Sequence, residues 1–104
     1  VVYKRETLYR VVQECLLNIK KHSQATRVLF HCKKTEQQYE ILIQDNGKGF
    51  TMEEAEDKAN SHFGLALIHE GVALLNGTIH ISSEIGHGTT IDIKIPLDLH
   101  LAEK

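Results

Sequence analysis

The sequence predicts a two-layer α/β sandwich, with one mixed sheet packed on helices. Three observations predict it. Two stretches carry apolar residues at helical i, i+3, i+4 spacing, four stretches alternate apolar and polar residues, and turn residues separate them. The chain has 104 residues, of which 41% are hydrophobic. That suits a single domain, 1–104, with one core.

From Glu6 to His22 the apolar residues are Leu8, Val11, Val12, Cys15, Leu16 and Ile19. Their spacing makes this an amphipathic helix that Ser23-Gln24 ends. Arg27 to Lys33 reads as a strand with Val28, Phe30 and Cys32 on one face. Tyr39 to Gln44 reads as a second, with Tyr39, Ile41 and Ile43 alternating. The short polar turn between them implies an antiparallel hairpin. Asp45-Asn46-Gly47-Lys48-Gly49-Phe50 follows as a loop. Thr51 and Glu54 have capping-box spacing, so a short helix is expected there. A second long helix is expected from about Gly64 to Leu75, closed by Asn76-Gly77. Thr78 to Ser83 and Thr89 to Pro96 are the last strands, joined by Gly86-His87-Gly88. Ile79, Ile81, Ile91, Ile93 and Ile95 share one face. Glu40, His80, Asp92 and Lys94 fall on the other, which should meet water.

Composition excludes several functions. The formal net charge is -2 and 25% of residues are charged, so no basic field points to nucleic acid. No apolar run approaches the roughly 20 residues that span a bilayer, and no signal peptide is visible. Cys15 and Cys32 form no CxxC pair and each takes an apolar position. Two buried, reduced thiols of a cytosolic protein are expected. The chain opens on Val1-Val2, not Met, which points to an excised piece.

Three features break the core-and-surface pattern. Val11, Glu14, Asn18 and His22 line one helix stripe. Glu14 and Asn18 offer oxygen ligands of the kind Mg²⁺ takes, although alone they read as an exposed Glu and a satisfied Asn. In the DNGKGF loop, Gly47 and Gly49 permit positive φ or a close backbone approach. Asp45 ends a buried-type strand, where it could accept from a base amine. The same residues also make an ordinary strand-ending turn. Ser61-His62-Phe63-Gly64-Leu65 is a polar stretch leading to glycine at a helix start, where free N–H groups suit phosphate. One such glycine is weak evidence.

Order and spacing change the weight of these features. Glu6 to Ser23, with its E-x-x-x-N, resembles the N box of GHKL ATPases, the group of gyrase, Hsp90, MutL and histidine kinases. Asp45 to Phe50 resembles their G1 box, His62-Phe63-Gly64-Leu65 the G2 box, and Gly86-His87-Gly88-Thr89-Thr90 the closing motif. The match is to sensor histidine kinases of the NarL/DesK type and runs from about Glu6 to Pro96. The resemblance implies a Bergerat-type sandwich and a protein histidine kinase that uses ATP and Mg²⁺. It implies Asn18 on Mg²⁺, Glu14 orienting a metal-bound water or polarising the reacting groups, and Lys21 and His22 near the phosphates. Asp45 would accept from the adenine amine, with Gly47 and Gly49 folding the backbone around the base. Gly64 and Leu65 would bring the next helix's N-terminus to the phosphates, with Phe63 counted among the nucleotide-binding residues as a core or lid anchor. Thr89 or Thr90 would support the adenine through water, and residues 51–63 would be the ATP lid.

It also implies a γ-phosphoryl transfer to a histidine on a separate dimerisation domain, then to an aspartate of a response regulator. The expected setting is the cytoplasmic part of a membrane-anchored sensor, with no nucleic-acid partner, no direct membrane contact by this domain and a monomeric fragment. His62 replaces the first glycine of many G2 boxes. His69-Glu70 mimics a phosphoacceptor pair but lies on the wrong helix, so His69 reads as an ordinary, partly exposed histidine. Two other readings stand beside this one: a stand-alone GHKL serine kinase of the anti-sigma-factor type, and a degenerate nucleotide-binding module that only docks a partner.

Overall fold

The computed structural model describes residues 4–51 and 65–97. Helix α1 (Lys4–Asn18) runs into a π-helical turn (Ile19–Ser23). Strands β1 (Val28–Lys34) and β2 (Gln38–Asp45) follow, then helix α2 (Leu65–Leu74), and strands β3 (Thr78–Glu84) and β4 (Gly88–Pro96). The sheet order is β1-β2-β4-β3, with the helices on one face.

The fold class agrees with the expectation, but the sheet is antiparallel at every described pairing and not mixed. The connection through α2 returns the chain parallel to β2, yet one strand's width away. Strand β4 fills that gap and runs antiparallel to both neighbours. Its three isoleucines, Ile91, Ile93 and Ile95, therefore sit at the centre of the inner face. They pack with Ile41 and Ile43 against Val11 and Cys15 of α1 and Ile68 and Val72 of α2. Each such side chain contributes roughly 1.5–3 kcal/mol by leaving water. Gly71 permits the helix crossing, because a Cβ there would lie 2.5 Å from Val11 Cγ2.

Helix α2 ends in a Schellman pattern. Asn76 N–H donates to Ala73 O at 3.0 Å and Gly77 N–H to Val72 O at 2.9 Å. Asn76, not glycine, takes the left-handed φ of 57°. Gly77 serves the approach to β4, since a Cβ would press on Ile95 Cδ1 and Lys94 O. The outer sheet face is polar as expected: His80 and Lys94 are exposed, and Lys94 Nζ lies 3.7 Å from Asp92 Oδ2. His69 is exposed on α2.

Strand β1 corrects a second expectation. Val28, Phe30 and Cys32 do share the inner face, opposite Asp45, Ile43 and Ile41, yet all seven β1 residues are exposed. Alternation gives the face, and only the strand order gives the cover. Because β1 is the edge strand, the described helices do not shield it. Cys15 is buried as expected and Cys32 is not. Burial, and then the neighbouring Glu14 charge, push the Cys15 thiol up to about 12. A thiol held above its usual value stays protonated through neutral and mildly alkaline pH and is a poor nucleophile. Iodoacetamide at pH 8 should therefore modify Cys32 and spare Cys15 in the native chain, with both modified in denaturant. Equal native labelling, read by peptide mass spectrometry, would contradict this burial.

Among the described residues no helix is long and apolar enough to cross a membrane.

Candidate nucleotide-binding site

The site forms where the end of α1, the loop after β2 and the start of β4 meet. Asp45 is the last residue of β2 and is 7% exposed. Its Oδ1 accepts the Gly47 N–H at 2.8 Å. Among the described residues no donor reaches Oδ2, and Asp45 lines the pocket, so its second oxygen is an acceptor available there.

The loop around Asp45 is tied on three sides. Asn46 Oδ1 accepts the N–H groups of Thr26 and Arg27, both at 2.9 Å, and its Nδ2 donates to Thr26 Oγ1 at 2.9 Å. Lys48 N–H donates to Ser23 O at 2.7 Å, which clamps the loop to the π-helical turn. Gly86 N–H donates to Lys48 O at 2.7 Å, which clamps it to the β3–β4 turn. The glycines make these approaches possible. A Cβ on Gly47 would meet Ser23 O and Cβ, and one on Gly49 would meet the Glu84 carbonyl. Of these two glycines only Gly49 has positive φ, at 68°. Both glycines thus serve backbone packing around the site, and Gly49 also lines the pocket.

The π-helical turn has no forewarning in the sequence. It widens the last turn of the opening helix, with Ser23 Oγ bonding back to Ile19 O at 2.7 Å. Gln24 then ends it in the left-handed region, φ 56°. Asn18, Ile19, His22 and Ser23 all line the pocket from this segment.

Of the candidate residues, Asn18, His22, Asp45, Gly49, Leu65 and Thr89 come together around one cavity. Cys15, Phe50, Ile81 and Ile91 add apolar walls. An apolar slot with a few convergent polar groups is the usual form of a small-ligand site. Glu14, Lys21, Gly47 and Thr90 are not among the lining residues. Thr90 is a correction: it lies on the outer sheet face, where its hydroxyl accepts from Gln44 Nε2 at 3.2 Å. Alternation along β4 decides this, because the register that buries Ile91 also turns Thr89 inward. Phe63, Gly64 and nearly all of the lid expected over 51–63 lie outside the described residues, as does the helix start proposed near Thr51. Ser83 was missed. It bonds the Phe50 N–H at 2.9 Å and meets Thr89 Oγ1 at 2.7 Å.

No group of three His, Cys, Asp or Glu side chains among the described residues could cage a metal. A Mg²⁺ that keeps its waters and phosphate oxygens needs few protein ligands, and the Asn18 amide at the pocket wall fits that need.

Residues 3–99 match the family described as histidine kinase-, DNA gyrase B- and HSP90-like ATPases. The chain is 45% identical over 92 residues to the signal transduction histidine-protein kinase/phosphatase DegS of Bacillus subtilis, covering 88% of this chain and 24% of that protein. It is 37% identical over 90 residues to the sensor histidine kinase LiaS of the same organism, covering 86% and 24%. The chain thus spans about a quarter of these relatives. Among solved structures, the ATP binding domain of PrrB from Mycobacterium tuberculosis matches with a TM-score of 0.72 and 27% identity, over 89% of this chain and 68% of that one. The histidine kinase domain of the Erythrobacter litoralis blue-light activated kinase shares the fold, at TM-score 0.76 and 21% identity, over 90% and 48%. The chain therefore belongs to the histidine kinase-, DNA gyrase B- and HSP90-like ATPases.

Proposed function

We propose that the pocket binds Mg-ATP with the adenine on Asp45 and the phosphates toward Asn18 and His22, and that the domain donates the γ-phosphoryl group to a histidine on a separate dimerisation domain. From there the group passes to an aspartate of a response regulator. The observation that carries the reading is the open, buried Asp45 carboxylate oxygen beside apolar walls, with Asn18 and His22 on the same cavity. A purine ring fits the walls, and its exocyclic amine fits the acceptor. The phosphates then face the helix end, where the Asn18 amide oxygen can hold Mg²⁺ and Lys21 adds positive charge nearby. The metal would neutralise charge on the transferring group. Glu14 lies one turn before Asn18 and would orient a water or the reacting partner from outside the pocket. The setting we propose is a membrane-anchored sensor; the relatives' names, those of sensor kinases, support the sensor part of it.

Calorimetric titration of the chain with ATP, with and without Mg²⁺, tests the reading. Saturable binding strengthened by Mg²⁺ is the expected result. No binding to a folded chain would sink it in favour of a docking module.

A further inference from the structure

Ser83 on β3 does not line the pocket, yet it stands directly across the sheet from Thr89, which does. Its hydroxyl has three partners. It accepts the Phe50 N–H at 2.9 Å, it lies 3.2 Å from the Gly88 carbonyl, and it lies 2.7 Å from Thr89 Oγ1. A serine hydroxyl owns one proton, and a carbonyl can only accept. All three bonds form together in one arrangement only: Ser83 donates to Gly88 O, and Thr89 donates to Ser83. The Thr89 proton is then committed to Ser83, and Thr89 turns only lone pairs to the pocket. Asp45 Oδ2 beside it is likewise an acceptor. Among the described residues, the Asp45 and Thr89 side chains at that corner of the cavity therefore offer acceptors.

We infer that Ser83 is a positioning residue that fixes the hydrogen-bond sense of Thr89 and so favours a 6-amino purine over a 6-oxo purine. The assignment rests on the reading of this pocket as the adenine site. A 6-amino group donates into the acceptor corner. A 6-oxo group brings a lone pair against it and leaves polar atoms unpaired, which costs more than a merely absent contact. Without Ser83 the Thr89 proton is free to rotate toward the ligand, so the share of the preference that Thr89 carries is lost while that of Asp45 remains.

The test compares ATP with inosine triphosphate by competition calorimetry on the 104-residue chain. Wild type should prefer ATP. Ser83→Ala should cut the ATP:ITP affinity ratio about 5- to 10-fold, and Ser83→Thr, which keeps the hydroxyl, should restore it. Ser83→Cys, whose thiol is a weak donor and acceptor, should behave as Ser83→Ala and stands in for it should the alanine variant not fold. On a Thr89→Val background, Ser83→Ala should leave the ratio where Thr89→Val put it, because Ser83 acts through that hydroxyl. A general loosening of β3 would lower both affinities and spare the ratio. An unchanged ratio in a folded Ser83→Ala or Ser83→Cys chain that still binds ATP overturns the Ser83 assignment alone. Failure of wild type to bind ATP overturns the nucleotide reading and the assignment with it.

Discussion

Asp45→Asn should lose most ATP affinity while the domain melts almost as wild type does. The asparagine oxygen can keep the 2.8 Å bond from Gly47 N–H, so the loop stays formed. What changes is the pocket side, where an NH₂ donor replaces the open carboxylate oxygen and faces the adenine amine. Loss of a charge-assisted bond costs roughly 1.5–3 kcal/mol, about 10- to 100-fold in affinity. Two opposed donors add to that loss. Asp45→Ala should lose binding to a similar degree and also lose about 1 kcal/mol of stability, because the Gly47 N–H gives up its acceptor in a buried place. Calorimetry and thermal melting on the two variants separate these effects. Wild-type affinity in a folded Asp45→Asn chain would remove Asp45 from the site.

The pair of variants also shows what the sequence could and could not reveal. Asp45 was legible as the end of an alternating strand followed by Asn-Gly, and its partners Asn18 and His22 were legible as one helical stripe. The isoleucines of β3 and β4 were legible because apolar residues at period two are the signature of a half-buried strand. The exposure of Val28, Phe30 and Cys32 was not, because cover depends on where a strand sits in the sheet, and β1 is at its edge. The π-helical turn was hidden for another reason. Ile19 to Ser23 continue the residue types of a helix, and the widening shows only in the backbone. Ser83 follows Ile79 and Ile81 on the inner face, but a lone serine there carries no sign of a site, and only the β3–β4 register puts it against Thr89. The alternation through Ile91 separates Thr89, which faces inward, from Thr90 on the outer face.

Glycine 88 should prove the least replaceable residue of the closing turn, and its neighbour Gly86 supplies the control. Both have left-handed backbones, with φ of 86° and 85°. An alanine at Gly86 would find nothing within 4 Å, so its cost is the left-handed strain alone, about 1–2 kcal/mol. An alanine at Gly88 carries the same strain and also drives its Cβ into backbone. It would meet the Asp45 carbonyl oxygen, with Asp45 C at 2.9 Å and Asn46 Cα at 3.0 Å. Backbone cannot swing aside as a side chain can. Strand β4 would have to draw back from the end of β2, where Asp45 pairs with Thr89. Gly88→Ala should therefore cost about 3–5 kcal/mol, at the high end for single substitutions. At roughly 4–8 °C per kcal/mol for a domain of this size, melting should fall by more than about 12 °C, against about 4–16 °C for Gly86→Ala. ATP binding to whatever remains folded should weaken as well, since the move separates Thr89 from Asp45. Equal melting losses in the two variants would show that the contact at Asp45 is not what requires glycine at this position.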